Sequence, residues 1–304
     1  MSRVLITGVS GFIGRALAQR LLAEGAMVFG LASPRGHSPV GLSGCAFIRL
    51  PHPDLHNCLA EWRPNSVFHC AGSSRPARSL EDPAGDFVST VPAMLCVLEA
   101  VRSASPQSRV IYVSSAAVYG QPERLPILES DPVNPISPYG YHKWMAELLC
   151  REYSEIFGLQ TVCARVFSAY GGGLRKQIVW DAITKLGGSG EAVFHGTGKE
   201  TRDFIHIDDL VEALVRLEAG PTDETHEVCN VASGVETRID TVVATVARIL
   251  GRPEGTWRFL GDALLGTPVR WCADTAKLAS TGFIPRVAFE AGVLRTVTDH
   301  GEPS

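Results

Sequence analysis

A short apolar run, RVLIT (residues 3–7), leads directly into TGVSGFIG (7–14) and then into FIGRALAQRLLAEG, whose apolar residues recur at helical spacing. A buried strand feeding a glycine turn and then an amphipathic helix predicts the first unit of a parallel sheet. In such a turn Gly8, Gly11 and Gly14 have separate tasks. One makes a tight bend, one lets backbone approach a pyrophosphate, and one allows close helix–strand packing, with the helix N-terminus facing the anion. The loop, with Ser10, Phe12 and Ile13 around it, is therefore expected to bind a dinucleotide.

The rhythm continues. AMVFGL, residues 45–50 and SVFHCA are further strand candidates, a helical stretch covers about 85–103, and RVIYVSSA, SPYGYHKWMAELLCREYSEIFG and TVCARVF read as strand, helix and strand. Strands alternating with helices imply a mostly parallel sheet covered on both faces, a Rossmann-like, doubly wound α/β core. Beyond Tyr170 the pattern loosens into glycine-rich turns and three helical segments, DDLVEALVRL, IDTVVATVARIL and VAFEAGVLRTVTDH. Residues 1–170 are expected to form mainly the dinucleotide-binding core. Residues 171–304 are expected to form mainly a smaller α/β substrate-binding lobe interleaved with it, because the crevice beyond the strand ends needs a second wall.

With 304 residues the chain buries a sizeable core without a metal or disulfide staple. Its 28 basic and 32 acidic residues give a formal charge of -4, which offers no general polycationic surface for nucleic acid or acidic membranes. A small molecule is the expected partner. The eight cysteines include no close CxxC pair and read as reduced, mostly core residues, and no His or Cys spacing suggests a metal site. MSRVLITG runs straight into a strand without a signal-peptide pattern, so a cytoplasmic setting is expected.

The second strand ends in Gly30-Leu31-Ala32-Ser33-Pro34-Arg35, with no carboxylate to accept the ribose hydroxyls of NAD. Ser33 and Arg35 could instead hydrogen-bond and neutralise a 2′-phosphate, so NADP(H) is the expected cofactor, with NAD(H) as the alternative.

In SPYGYHK (137–143), Ser137 suits a helix cap, Pro138 suits the first helical position, and Tyr139 and Lys143 fall one turn apart on one side. A phenol with a pKa near 10 is a poor base at neutral pH, and an adjacent ammonium lowers the cost of its phenolate. Ser115, at the end of RVIYVSSA, is placed to be a second donor to a substrate oxygen. Tyr141 points to a different face of the helix.

At this point the sequence resembles the extended short-chain dehydrogenase/reductase family, in its nucleotide-sugar epimerase, dehydratase and reductase branch. The motifs TGVSGFIG, VFHCAG, VSSAAVYG, SPYGYHK, ARVFSAYG, TRDFIHIDDL, EVCNVASG and ADTAKL stand in the family's order over nearly the whole chain. The resemblance implies that Tyr139 is the acid/base and that Lys143 stabilises the phenolate and binds nicotinamide ribose. It further implies that Ser115, rather than Ser114, contacts the reacting sugar oxygen, and that Ala71 and Gly72 lie at the cofactor side of a strand end, with His69 packed nearby. Arg202 matches the arginine that holds the substrate diphosphate, and Arg270 is a second candidate without the usual RPGD-like surroundings. Ser168 stands in SerAlaTyrGly where the family often has AsnValTyrGly, which alters the reach toward the sugar or its nucleotide. The Phe47-Ile48-Arg49-Leu50 run lacks the family's aspartate near the adenine.

Ala116 and Ala117 follow Ser115 where dehydratases and decarboxylases of the family carry acidic residues, and where enzymes similar to fucose synthase carry a cysteine. Water elimination and 3,5-epimerisation are therefore not expected. What remains is NADPH-dependent reduction of a 4-keto nucleotide sugar, favoured by Ala32, Ser33 and Arg35, with an NAD-dependent 4-epimerase as the alternative. A non-catalytic NADP-binding regulatory protein is the third reading. The resemblance also implies a homodimer formed through two core helices, one bearing Tyr139 and Lys143. Asp208 and Asp209 are expected to cap the helix that follows FIHI.

Overall fold

The apolar runs of the first half lie side by side in the computed structural model, which describes residues 1–34, 39, 41–220, 224–262 and 266–300. In chain order the core contains β1 (Arg3–Thr7), α1 (Phe12–Ala23), β2 (Met27–Ala32), β3 (Gly44–Phe47), α2 (Asp54–Trp62), β4 (Ser66–His69), α3 (Pro76–Glu81), α4 (Pro83–Ala104), β5 (Arg109–Ser115), α5 (Pro138–Phe157), β6 (Thr161–Val166) and β7 (Ser168–Tyr170). There follow α6 (Gln177–Gly187), β8 (Ala192–Phe194), β9 (Thr201–His206), α7 (Ile207–Ala219), β10 (His226–Val231), β11 (Glu236–Arg238), α8 (Ile239–Ile249), β12 (Trp257–Phe259), α9 (Ala276–Ser280) and α10 (Phe289–His300).

Among the described residues the central sheet has seven parallel strands in the order β10-β6-β5-β4-β1-β2-β3. Val4 of β1 faces Val28 on one side and Ser66 on the other. The chain winds outward from β1 to β3, then crosses back to β4 and winds the other way. The reversal lies between β1 and β4, and a doubly wound sheet opens its binding crevice beyond the strand ends at such a point.

The alternation of side chains along β1 divides the core. Ile6 packs under α1 and α7 with Leu17, Leu210 and Leu214, whereas Leu5 packs on the other face with Leu55, Met94, Val97 and Cys150 of α2, α4 and α5. One helix, α4, is long and apolar enough to cross a membrane by length and composition, but Met94, Val97 and Leu98 are buried in this second layer.

A third cluster, around Phe194, Val242 and Val246, holds α6, α8 and α10 together as the lobe. The lobe is threaded through the core rather than appended. β7 pairs with β9, and the chain then returns to lay α7 on the sheet and β10 beside β6. The sequence expectation of an interleaved tail did not identify β10 as the seventh strand, nor α2, α3 and α6 as helices. The outer edge of β6 is what β10 completes.

Candidate active site

Gly8 adopts φ +69°, its N–H donates to Leu31 O at 2.8 Å, and a Cβ there would lie 2.8 Å from the Ala71 nitrogen. A Cβ on Gly14 would lie 2.3 Å from the Gly8 carbonyl oxygen. Neither position tolerates a side chain, so the turn brings β1, α1 and the end of β4 into backbone contact. Gly11 begins α1 with no side-chain cap, which leaves first-turn N–H groups for an anion. At the strand reversal Thr7 Oγ1 meets His69 Nδ1 at 2.8 Å and accepts from Ala71 N at 3.2 Å.

This cradle opens into a cleft of about 840 Å³ that runs along the C-terminal edge of the sheet. Gly8, Ser10, Gly11, Phe12, Ile13 and Gly14 line one end, with Ala32 and Ser33 at the tip of β2 and Ala71 and Gly72 after β4. The far end holds Ser115, Tyr139, Lys143 and Ser168. A dinucleotide fits this donor set, since the cradle excludes Cβ atoms and the uncapped helix faces it. Arg35 lies outside the described residues.

Ser137 Oγ accepts from Gly140 N at 3.2 Å, Pro138 opens α5, and Gly158 closes it at φ +71°. The helix so fixed turns Tyr139 and Lys143 inward, while Tyr141 is 44 % exposed. Burial dominates at Tyr139 and pushes the phenol up to about 12, with Ser115 drawing it down and Asp86 adding to the rise. The expectation that Lys143 lowers this pKa is not met here. The ammonium donates to the Val113 carbonyl at 2.9 Å and lies 5.8 Å from the Tyr139 ring centroid, so it does not bond the phenol oxygen. Burial brings Lys143 itself down to about 8, against the pull of Asp86, Cys70 and Glu147. His69, stacked on Tyr112, is pushed down to about 3 by burial and by the charge of Lys143. It is a neutral packing group.

Ser114 and Ser115 face different ways. Ser114 donates to Glu147 Oε1 at 2.5 Å, and Glu147 in turn receives Arg165 at 2.7 Å. Arg165 also donates to the Tyr119 hydroxyl, which donates to Asn230 of β10 at 2.7 Å. This buried network supports the serine strand from behind.

The two arginines assigned to a diphosphate do not line the cleft. Arg202 donates to Thr201 O at 2.6 Å and lies over Trp271, whose ring is the cleft-wall group at that point. Arg270 makes a two-pronged pair with Glu236 at 2.7 and 2.8 Å on the surface. Asp208 and Asp209 occupy the first turn of α7, but the cap is His206 Nδ1, which accepts from Asp208 N at 3.2 Å. Asp209 instead accepts from the backbone N–H groups of Arg286 and Val287. Sequence reasoning also passed over Arg75, Arg78 and Lys176 on the cleft wall, and the Asp86–His142 pair at 2.6 Å beside the catalytic helix. Only the SPYGYHK stretch carried a visible signal for the last of these.

Residues 4–232 match the profile of the NAD dependent epimerase/dehydratase family. A UDP-glucose 4-epimerase of Mycolicibacterium smegmatis is 33 % identical over 313 residues, covering 97 % of each chain. A probable UDP-glucuronate 4-epimerase of Rhizobium meliloti is 27 % identical, covering 97 % of this chain and 96 % of its own. Among solved structures, MoeE5 in complex with UDP-glucose and NAD superposes with a TM-score of 0.89 at 28 % identity, covering 98 % of both chains.

Proposed function

The chain belongs to the NAD dependent epimerase/dehydratase family, and from that premise we propose that it is an NAD-dependent nucleotide-sugar 4-epimerase. The observation that carries the reading is the meeting of Ser115, Tyr139 and Lys143 at one end of a cleft whose other end is a glycine cradle. Relatives of matching length named as a UDP-glucose 4-epimerase and a probable UDP-glucuronate 4-epimerase support this choice of reaction. When bound, NAD supplies reversible hydride acceptance at the sugar C4.

The protein's part is proton handling and orientation. Tyr139, as the phenolate left once its own proton has gone to solvent, is positioned to take the C4 hydroxyl proton as that carbon is oxidised, and re-reduction returns the proton to the ketone oxygen. Ser115, which lines the cleft with Tyr139, bonds the same sugar oxygen and stabilises charge developing there. Lys143, held by the Val113 carbonyl, is the candidate for the nicotinamide ribose, for which its proton must stay on. Ala116 and Ala117 supply no carboxylate for proton abstraction at C5, which supports epimerisation over water elimination.

Ala32 and Ser33 line the cleft at the end of β2 without a carboxylate, and this favours a second reading, an NADPH-dependent 4-ketoreductase. The relatives reverse the order in which the β2 residues alone ranked the two. A homodimer through α4 and α5 is part of the proposal, supported by the exposed Phe87, Leu95, Tyr141 and Met145 on those helices.

The test is incubation of purified protein with UDP-glucose and catalytic NAD, with the sugar products resolved by NMR. Conversion to the C4 epimer with no net NADH is expected. NADPH-dependent consumption of a 4-keto nucleotide sugar, with no interconversion of epimers, would favour the reductase instead.

A further inference from the structure

Lys176 reaches from the lobe across the mouth of the cleft. It immediately precedes α6, and its Nζ donates to the Ser74 carbonyl in the loop after β4 at 2.6 Å. The side chain is partly buried, and burial together with the charge of Arg75 brings its ammonium down to about 8. The next residue, Gln177, lines the cleft at φ +69°, a left-handed conformation that is strained for a residue with a Cβ.

Among the described residues no ion pair neutralises Lys176, Arg75 or Arg78, although all three line the cleft. The carboxylates of that wall are committed elsewhere: Asp82 caps α4 through Gly85 N at 2.9 Å, and Asp86 is bonded to His142. A partly desolvated cation near a guanidinium and without a counter-ion is costly unless a ligand completes it, and the strained residue is its neighbour Gln177.

We propose that Lys176 and Arg75 form an oxyanion subsite for the nucleotide sugar, taking its diphosphate or a carboxylate on its sugar ring. The inference rests on the nucleotide-sugar reading above. The dinucleotide pyrophosphate has its own place at the N-terminus of α1, whereas Lys176 belongs to the lobe wall that faces the catalytic trio. Lys176 lines the same cleft as Ser115, Tyr139 and Lys143. Arg270 is paired with Glu236, and Arg202, which donates to Thr201 O, does not line this cleft.

The test is calorimetric titration of wild type, Lys176→Met and Arg75→Met with UDP-glucose, UDP-glucuronate and NAD separately. Arg75 is exposed, so its variant is expected to fold even if Lys176→Met does not. Loss of one charge-assisted contact is expected to weaken nucleotide-sugar binding about tenfold or more and to leave NAD unchanged. Loss shared by both sugar nucleotides identifies the diphosphate, and loss confined to UDP-glucuronate identifies the carboxylate. Unchanged sugar-nucleotide affinity in both variants, or an equal loss of NAD affinity, overturns the subsite. Wild-type protein that binds neither sugar nucleotide overturns the functional reading itself.

Discussion

The Ser114 hydroxyl donates to Glu147 Oε1 at 2.5 Å inside the layer between β5 and α5, and this removes Ser114 from the cleft chemistry. Ser115, one residue later on a strand, necessarily faces the other way and lines the cleft with Tyr139. Ser115→Ala is expected to lower kcat by about 10²–10³, the usual cost of a lost oxyanion donor, with cofactor binding retained. Ser114→Ala is expected to keep kcat and to lose roughly 1–2 kcal/mol of stability. Steady-state kinetics and urea unfolding of the two variants separate the roles, and equal kinetic losses would contradict them.

In the proposed mechanism Lys143 sets the alkaline limit of activity. Its ammonium is present below about pH 8 and lost above it, because burial lowers its pKa from 10.5. kcat is therefore expected to fall as the pH rises through about 8. A flat kcat between pH 7 and 9.5 would remove the protonated ammonium from the mechanism. Tyr139, at about 12, keeps its proton throughout that range in the absence of ligand.

Arg165 and Glu147 are both buried and are bonded at 2.7 Å, and Tyr119 and Asn230 extend the network to β10. Arg165→Met leaves a buried carboxylate with no cation and is expected to destabilise the protein by about 3–5 kcal/mol. The double variant Arg165→Met/Glu147→Met is expected to be less destabilised than the single one. Denaturant midpoints decide, and a single variant as stable as wild type would show that the network is not holding β5, α5 and β10 together.

His69 makes stability sensitive to acid. Its folded pKa of about 3 lies below the unfolded 6.5, so the unfolded chain binds the extra proton and stability is lost as the pH falls below 6.5. At pH 5 the loss from this group is roughly 2 kcal/mol. His226, pushed down to about 4 mainly by burial, acts in the same direction. Thermal unfolding of wild type and His69→Gln at pH 7.5 and 5 should show a smaller acid shift for the variant. An identical shift would place the sensitivity elsewhere.

The parts of the fold legible in the sequence were those written in local pattern. RVLIT followed by TGVSGFIG specifies a strand, a turn that only glycine fits and a helix, and Ser137-Pro138 specifies where α5 begins, so the i, i+4 relation of Tyr139 and Lys143 followed from helix geometry alone. The weaker signals failed for identifiable reasons. β10, His-Glu-Val-Cys-Asn-Val, is half polar and joins the main sheet along the edge that β6 offers, and α6 begins at a strained residue with no cap to announce it.

Sequence by itself indicated the alternation of strands and helices in the core, the cradle and the candidate trio Ser115, Tyr139 and Lys143, because backbone preference and side-chain periodicity act over a few residues. Tertiary structure decided the rest: the upward shift of Tyr139, the pairing of Arg270 with Glu236, and the meeting of Lys176 with Arg75 across the cleft. Burial and electric field sum over groups from several elements, so these properties belong to no single segment.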